Sequence, residues 1–229
     1  ETRRAPLCDV PPMIAGNRHA DGGNLTGPLT ALVVLNDSKY AGTTYMYMNG
    51  NSVALCPMTV GTPPNDFEGA VHHECGGHGF GFLADEYVYY DKRMPDSEIS
   101  ELRTWQGYGY QTNLDLDGNP QTCFWSDFVG REGYEGVGLF EGGGLYRYGV
   151  WRSESNSCMN NNVAYFNVQS RQAIVRRIMS LCGRDFSLED FIASDPGSPA
   201  AFAMASLSHK TSPHPLGRPV LIPIVETKF

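Results

Sequence analysis

Charged residues are scarce in this chain. They make up 18% of its 229 residues, and the net charge of −8 comes from 17 basic and 25 acidic residues that form no block of like charge. Proteins that bind nucleic acid or an anionic membrane surface concentrate basic residues on one face or in one segment. We therefore expect neither nucleic acid nor a membrane surface as a partner.

Long apolar runs are missing as well. A helix that crosses a membrane needs about 20 consecutive apolar residues, whereas the longest apolar run here, residues 31–35, predicts a buried strand. We therefore expect no membrane span. No signal peptide is visible, but the chain begins with Glu1 rather than methionine, which indicates a mature or trimmed fragment.

Cysteine pairs of the kind that bind structural zinc are also absent. The six cysteines are spread along the chain without a CxxC spacing, at positions 8, 56, 75, 123, 158 and 182. Their even number permits disulfides, but a structural zinc knuckle is not expected.

The first part of the chain predicts strands. Hydrophobic residues make up 41% of the chain, which is enough for one well-buried domain with at most a small appendage. Residues 30–35 are apolar and β-branched, which predicts a core strand. Asn49-Gly50 lies between two further strand-like runs, 43–48 and 52–58, and this dipeptide is a strong hairpin signal.

Helices are predicted at four places. Asn65, with Glu68 three residues later, predicts the capped start of the helix that contains residues 73–78. Ser170 is the predicted cap of the clearest helix, residues 171–182, whose apolar side chains share one broad face. Shorter helices are predicted over residues 97–108 and from residue 187.

The remaining segments predict irregular structure and one edge strand. Residues 1–28 look irregular, and residues 109–150, rich in Gly, Tyr and Asp, predict long surface loops. The PGSP sequence at 196–199 predicts a linker. Beyond it, residues 220–225 predict an edge strand, since a central strand would not tolerate Pro223. The mixture of elements predicts the α+β class.

The stretch 73–78, HECGGH, carries the chemistry of the chain. Two histidines on one side of a helix can bind one metal ion through their ring nitrogens. The glutamate beside the first can accept a proton from a water molecule on that metal. Helical histidines alone are usually structural, but here an Asp-Glu pair follows in the same Gly-rich segment. We therefore predict His73 and His78 as ligands and Glu74 as the general base.

The spacing of the two histidines is unusual. In the common H-E-x-x-H motif the ligands are four residues apart, whereas His73 and His78 are five apart. A regular α-helix turns about 100° per residue, so these rings would point about 140° apart and could not share an ion. A π-bulge adds one residue to a turn and realigns them. Gly76 and Gly77 would ease this distortion, so the sequence predicts a π-bulge here.

A third ligand is expected, because catalytic zinc usually takes three protein ligands and leaves one position for water. Asp85 follows His78, with Gly81 between them to let the chain turn back. Glu86 is its neighbour, and Glu101 is the alternative if a second helix supplies the carboxylate. The residues alone leave these three candidates open.

The longer stretch 73–87, HECGGHGFGFLADEY, resembles the active-site region of the bacterial IgA-peptidase family of zinc metallopeptidases. That family's signature is a His-Glu helix followed by a Leu-Ala-Asp-Glu-Tyr segment. The hairpin region 32–58 and the stretch 152–178, with SCM at 157–159, are also similar to this family. The resemblance covers roughly residues 30–180 and is most specific at its centre.

The resemblance implies a metzincin-like zincin. Such a domain has a small mixed sheet, an active-site helix, and a methionine turn beneath the metal, for which Met159 is the candidate. In metzincin-like enzymes the third ligand follows a Gly-x-x step, which leads here from Gly81 to Ala84. Alanine cannot bind a metal ion, and Asp85 lies one residue further, so the chain departs from the family's pattern here. We keep Asp85 as the expected third ligand.

These observations predict a secreted, periplasmic or cell-surface zinc peptidase that acts on a protein or peptide. Zn²⁺ would be held by His73, His78 and Asp85. Glu74 would activate the water that attacks the peptide carbonyl and would then protonate the leaving amine. Two alternatives stay open: an amidase acting on cell-wall or glycan-linked amides, and a binding module of this fold without turnover. The intact glutamate argues against the second.

We expect the chain to consist of two unequal parts. Residues 1–195 would form the zinc-peptidase catalytic domain, which contains the whole region of resemblance. Residues 196–229, which begin with the PGSP sequence, would form a C-terminal linker and tail.

Overall fold

The computed structural model of the chain describes residues 27–198 and 218–222. It contains two small β-sheets and a series of short helices, so the predicted α+β class is confirmed. The irregular stretch predicted at residues 1–28 lies almost wholly outside the described residues. Within the part of the chain that is described, no helix is long and apolar enough to cross a membrane.

Strands and helices occur in both halves of the chain. The strands are β1 (Thr30–Leu35), β2 (Thr43–Tyr47), β3 (Ser52–Pro57), β4 (Val88–Arg93), β5 (Leu114–Asp115), β6 (Phe140–Gly143), β7 (Leu145–Arg152) and β8 (Val220–Ile222). The helices are α1 (Phe67–Val71), a π-helix (His72–Phe80), α2 (Asp96–Gly107), a 3-10 helix (Ser126–Phe128), α3 (Cys158–Asn161), α4 (Val168–Leu181) and α5 (Leu188–Ser194).

The first sheet has the strand order β1-β3-β2-β8, and only β2 and β3 pair antiparallel. The predicted hairpin is confirmed, because Asn49-Gly50 joins β2 to β3. Gly50 has φ +86°, and its N–H donates to the carbonyl of Tyr47 at 2.9 Å. Glycine adopts this conformation without steric cost, so the turn fixes the register that pairs Tyr45 with Val53.

β8 lies at the edge of the first sheet, alongside β2. Tyr45 pairs with Val220, and Tyr47 pairs with Ile222, in parallel orientation. The edge strand predicted over residues 220–225 is therefore confirmed for its first half. Its second half, which includes Pro223, lies outside the described residues.

The second sheet is built around β7, which pairs in parallel with β4 and antiparallel with β5 and β6. Most of β5, β6 and β7 falls within residues 109–150, so the prediction of loops is wrong for these strands, while residues 116–139 between β5 and β6 are irregular apart from the 3-10 helix. Glycine is uncommon in strands, so the glycines of this segment predict loops instead. A Cβ on Gly143 would lie 2.6 Å from Cδ2 of Leu114, so the glycine is needed where β6 passes close to β5.

The segment between β5 and β6 contributes to a hydrophobic core. Trp125 and Phe128 are fully buried and pack with Tyr134, Val168 and Phe191. Burying a large side chain of this kind contributes about 1.5–3 kcal/mol. Packing against α4 and α5 therefore orders a segment that has few regular hydrogen bonds of its own.

Two helices begin at residues other than the predicted ones. α1 is capped by Asp66, whose carboxylate accepts a backbone hydrogen bond at 3.0 Å, and not by Asn65. α4 is capped by Asn167, whose Oδ1 accepts from the N–H of Ser170 at 2.9 Å. Ser170 is thus one turn inside the helix, because the earlier start buries Val168 completely.

The other predicted helices are confirmed. α2 lies within one residue of its predicted bounds, and α5 begins after Ser187, whose hydroxyl accepts a backbone hydrogen bond at 3.2 Å. The described part of the predicted linker is packed against the domain. Ser198 is fully buried, and its hydroxyl donates to the carboxylate of Glu154 at 2.7 Å. The division of the chain after residue 195 stays a prediction.

Candidate metal centre

The residues of the metal motif lie on a nine-residue π-helix that continues directly from α1. Its wide turn includes the hydrogen bond from Gly81 N to Gly76 O at 2.9 Å, which spans five residues. The predicted π-bulge between His73 and His78 is confirmed, although the irregular region is longer than predicted. The widening places the two Nε2 atoms 3.1 Å apart.

The glycines of the π-helix allow its backbone to pack closely. A Cβ on Gly77 would lie 2.2 Å from Sδ of Met159, and one on Gly79 would lie 3.2 Å from Cγ2 of Thr30. Each glycine inside a helix costs about 1 kcal/mol relative to alanine, and these contacts explain why that cost is tolerated. Met159 is fully buried beneath the helix. Its role in a methionine turn stays a prediction.

The side chains of His73, His78 and Asp85, hereafter the metal group, meet in the interior. Asp85 Oδ1 lies 3.0 Å from Nε2 of His73 and 3.1 Å from Nε2 of His78. All three residues are buried, with exposed fractions of 0%, 0% and 2%. Among the described residues, they are the one group of three such side chains that could hold a metal ion.

Backbone carbonyls determine which nitrogen of each imidazole carries its proton. Nδ1 of His73 lies 3.1 Å from the carbonyl oxygen of Cys158, and Nδ1 of His78 lies 2.7 Å from that of Leu83. A carbonyl oxygen can only accept a hydrogen bond, so we assign the proton of each ring to Nδ1. In the neutral ring, Nε2 then keeps the lone pair that a metal ligand needs.

The three facing atoms of the metal group are therefore all acceptors. A single proton can satisfy only one pair of them, whereas a cation between them satisfies all three. Although burial alone raises the pKa of Asp85, the facing His78 and His73 hold it well below its usual range. Tetrahedral ligands at about 2.1 Å lie about 3.4 Å from one another. The separations of 3.0–3.1 Å are close to this value, so the residues fit a metal ion.

The turn that returns the chain to the metal group is formed by Phe82 and not by Gly81. Gly81 has φ −78°, whereas Phe82 has φ +51°, a conformation that is strained for a bulky residue. Phe82 stacks on Tyr110 with ring centroids 4.1 Å apart, and the guanidinium of Arg177 lies 3.8 Å from its ring. Gly81 serves close packing instead, since an added Cβ would lie 2.8 Å from the carbonyl oxygen of Gly77.

The two alternative third ligands lie elsewhere. Glu101 is on α2, where its carboxylate accepts a hydrogen bond from Nε1 of Trp105 at 3.4 Å. Glu86 is fully buried, but its carboxylate belongs to a separate hydrogen-bond network. Of the three candidates, only Asp85 lies with the two histidines.

Glu74 has one carboxylate oxygen engaged and the other open. Its Oε2 accepts a hydrogen bond from Oγ1 of Thr44 at 2.7 Å. Its Oε1 is buried and has no hydrogen-bond partner among the described residues. Burial raises the pKa of Glu74 to about 8, although the nearby His73 and the hydrogen bond from Thr44 lower it. In its ionised form, which a nearby cation would favour, this carboxylate can accept a proton from water through its open oxygen.

Two tyrosines lie near the metal group. The ring centroid of Tyr87 is 6.1 Å from that of His73, and burial together with the charges of Asp85 and Glu74 raises its pKa well above its usual value. Tyr40 contacts the side chain of Asn162, and burial together with the charge of Glu74 raises its pKa as well. Both phenols are therefore protonated at neutral pH and can donate hydrogen bonds.

Sequence reasoning missed Thr44 and Tyr40. Thr44 lies 30 residues before Glu74, and Tyr40 belongs to none of the strands or helices. The alternation of β2 does place Thr44 on its buried face together with Met46. A hydroxyl on a buried strand face is a signal that could have singled out Thr44.

The described cysteines are free thiols, and Cys8 lies outside the described residues. Cys75 is inside the motif but outside the metal group, and burial raises its pKa. Burial also raises the pKa of both Cys56 and Cys158 to about 12. These thiols are protonated at neutral pH, and none of them belongs to the metal group.

A small cleft reaches Asp85. Its lining includes Leu102 from α2 and both Leu114 and Leu145 from the second sheet. At its rim, Arg218 and Glu98 form an ion pair with a nitrogen–oxygen distance of 2.5 Å. Of the metal group, only Asp85 lines this cleft.

Comparison of the sequence with protein-family models finds no matching family, and comparison with curated proteins finds no relative of significant similarity. The resemblance to the bacterial IgA-peptidase family therefore stays a prediction. The inference about the chemistry of the site therefore rests on the geometry of its residues.

Proposed function

We propose that the protein is a zinc-dependent peptidase of the zincin type, with the metal group as ligands and Glu74 as general base. The observation that carries this proposal is the convergence of three buried acceptor atoms at 3.0–3.1 Å. Buried polar atoms in proteins are normally matched, acceptor to donor. A group made of acceptors alone suits a cation, and the open oxygen of Glu74 suits a proton transfer beside it.

The ligand types favour zinc among the common metal ions. Calcium and magnesium prefer oxygen ligands, whereas two imidazoles with one carboxylate are common around catalytic zinc. The same set also occurs in non-haem iron enzymes. A buried carboxylate that is not itself a ligand, as Glu74 is here, is typical of hydrolysis by zinc and favours that choice.

The residues around the metal group have distinct proposed roles. A bound zinc ion would polarise the scissile carbonyl and lower the pKa of a water molecule. Glu74 Oε1 would accept the proton of the attacking water and pass it to the leaving amine. Thr44 holds the other oxygen of that carboxylate, which keeps its orientation fixed. Tyr40 is a candidate donor to the oxygen on which negative charge develops.

A protein or peptide substrate and a secreted, periplasmic or cell-surface location belong to the same proposal. Both are supported by the resemblance of residues 73–87 to the bacterial IgA-peptidase family. Substrate specificity resides in loops that vary within one fold. Immunoglobulin A itself is therefore not proposed as the substrate.

The proposal is tested by metal analysis combined with cleavage-site profiling on a proteome-derived peptide library. We expect about one zinc ion per chain and cleavage at peptide bonds. Glu74→Gln should keep the zinc and lower kcat/KM by about 10²–10⁴-fold, because the base is lost while every ligand remains. The exposed Glu68 on α1 offers a matched control, since Glu68→Gln should leave both quantities unchanged.

Three results would redirect the proposal. Full activity of Glu74→Gln with zinc bound would show that another group is the base. Stoichiometric iron, or no metal, would remove the zinc assignment. Release of amines from peptidoglycan without cleavage of any library peptide would favour the amidase.

A further inference from the structure

Glu86 is a second buried carboxylate beside the metal group, and the proposed chemistry does not use it. It directly follows Asp85 and is fully buried. Its Oε1 accepts hydrogen bonds from Nδ2 of Asn113 at 2.9 Å and from Nδ2 of Asn167 at 2.8 Å, and its Oε2 accepts from the hydroxyl of Ser157. Burying a carboxylate is costly even with such partners, which suggests that its contacts serve more than stability.

The network of Glu86 holds the chain on both sides of Asp85. Asn113 also binds the backbone of Ala84, whose N–H donates to Oδ1 at 2.8 Å and whose carbonyl accepts from Nδ2 at 2.9 Å. On the other side, the N–H of Glu86 donates to the carbonyl of Met159 at 2.8 Å. The ligand carboxylate is therefore carried by a residue whose two neighbours are fixed.

The same carboxylate anchors the segment that orients His73. Ser157 donates to Glu86, and the next residue, Cys158, provides the carbonyl that faces Nδ1 of His73 at 3.1 Å. Met159 then packs against the backbone of the π-helix. A peptide bond thus connects this buried carboxylate's residue to the aspartate of the metal group, and a short path of hydrogen bonds and one peptide bond connects it to the imidazole of His73.

We propose that Glu86 is a positioning residue of the metal centre, which sets the placement of Asp85 relative to His73. This inference rests on the proposed zinc site and deepens it, because it names the residue that preorganises two of the three ligands. Loss of an outer hydrogen-bond partner of a metal ligand typically weakens metal binding about 10–100-fold. A purely structural residue would change the stability of the fold and leave the metal affinity of the folded protein unchanged.

Glu154 is a matched control for the purely structural case. It is also buried, and it accepts hydrogen bonds from Tyr165 at 2.6 Å, from Ser198 at 2.7 Å and from the N–H of Val168 at 2.7 Å. None of these partners belongs to the metal group. Both Glu154 and Glu86 bind the first residues of α4, so a substitution at either should weaken the same helix.

The experiment compares Glu86→Gln with Glu154→Gln in the full chain. In each variant an amide NH₂ replaces an acceptor oxygen, so at least one donor in the network loses its partner. Zn²⁺ affinity is measured by competition with a chromophoric chelator, and the unfolding midpoint of the metal-free protein by circular dichroism. We expect both variants to lower the midpoint. Only Glu86→Gln should weaken Zn²⁺ binding, by about 10–100-fold, against less than about threefold for the control.

Two further measurements keep the test decisive. The visible absorption of Co²⁺ bound in place of zinc depends on ligand geometry, and it should change in Glu86→Gln but not in Glu154→Gln. If Glu86→Gln does not fold, Ser157→Ala removes one hydrogen bond of the same network. We expect that variant to weaken Zn²⁺ binding about two- to tenfold.

An unchanged Zn²⁺ affinity together with an unchanged Co²⁺ spectrum in Glu86→Gln would overturn the inference. The same result in Ser157→Ala would overturn it if the first variant is unfolded. Failure of the wild-type chain to bind Zn²⁺ would instead overturn the proposed function, so the two failures are distinguishable.

Discussion

Two buried polar clusters of this protein differ in how their atoms are matched. Around Glu154, each carboxylate oxygen meets a donor, from the hydroxyls of Tyr165 and Ser198 and from a backbone N–H. In the metal group, three acceptor atoms face one another at 3.0–3.1 Å, while the Nδ1 atoms of both rings are already engaged by carbonyls.

This difference separates a structural cluster from a ligand site. Hydrogen bonds compensate the cost of burying polar atoms only where a donor meets an acceptor. A cluster of acceptors is left uncompensated by the protein itself, and a cation could complete it. Changes in the metal group should therefore alter metal binding, whereas changes around Glu154 should alter only the fold.

Removal of a ligand should have the largest effect. Asp85→Ala deletes the one charged ligand, so we expect Zn²⁺ affinity to fall by more than the roughly 100-fold that the loss of an outer partner causes. Glu101→Ala, which removes a carboxylate outside the metal group, should bind Zn²⁺ like the wild type. Chelator competition measures both. If Glu101→Ala empties the site and Asp85→Ala does not, the ligand assignment is wrong.

Removal of the metal ion should have the next largest effect, a decrease in the stability of the folded protein. At a Zn²⁺ concentration about 100 times Kd, binding stabilises the native state by about 2.7 kcal/mol. For a chain of this size, that corresponds to a rise in Tm of about 5–11 °C. Scanning calorimetry with EDTA and then with added Zn²⁺ measures this shift. The Tm of Asp85→Ala should stay the same when Zn²⁺ is added. A wild-type Tm that also stays the same would contradict the distinction between the metal group and the cluster around Glu154.

The smallest of these effects is expected at the helix backbone. Gly77→Ala places a Cβ 2.2 Å from Sδ of Met159, and such overpacking costs about 1–3 kcal/mol. Gly107→Ala is a matched control, because it lies at the end of α2 and an added Cβ has no neighbour within 4 Å. It should be neutral or stabilising by up to about 1 kcal/mol. Urea unfolding compares the two variants. Equal effects would mean that Met159 gives way without cost.

The backbone geometry of the stretch from His73 to Asp85 could be predicted from the sequence, because the requirements of a shared metal ion constrain it. Two ligand histidines five residues apart require a widened helix, and the structure has one. Residues 109–150 carry no such constraint. Their glycines resemble those of loops, although Gly143 lies in β6 where that strand passes close to Leu114. Buried aromatic residues such as Trp125 order this segment through tertiary packing, which local sequence patterns do not record.

The residues that surround the metal group could not be predicted from local sequence patterns either. Thr44 reaches Glu74 across 30 residues, and Asn167 reaches Glu86 across 81 residues. The predicted cap at Ser170 failed for the same reason, since the burial of Val168 extends α4 by one turn. Contacts between distant segments decide these details, so they follow from the assembled fold.

The pairing of β8 with β2 has a consequence for folding during translation. Val220 pairs with Tyr45, and contacts between residues so far apart in sequence slow folding, because a long loop has to close first. During translation, β2 leaves the ribosome well before residues 220–222. Of the described strands, only β8 covers its outer edge, which until then can pair with another nascent chain. A product that stops before β8 keeps this open edge beside Thr44, and aggregation is the expected fate of such a fragment.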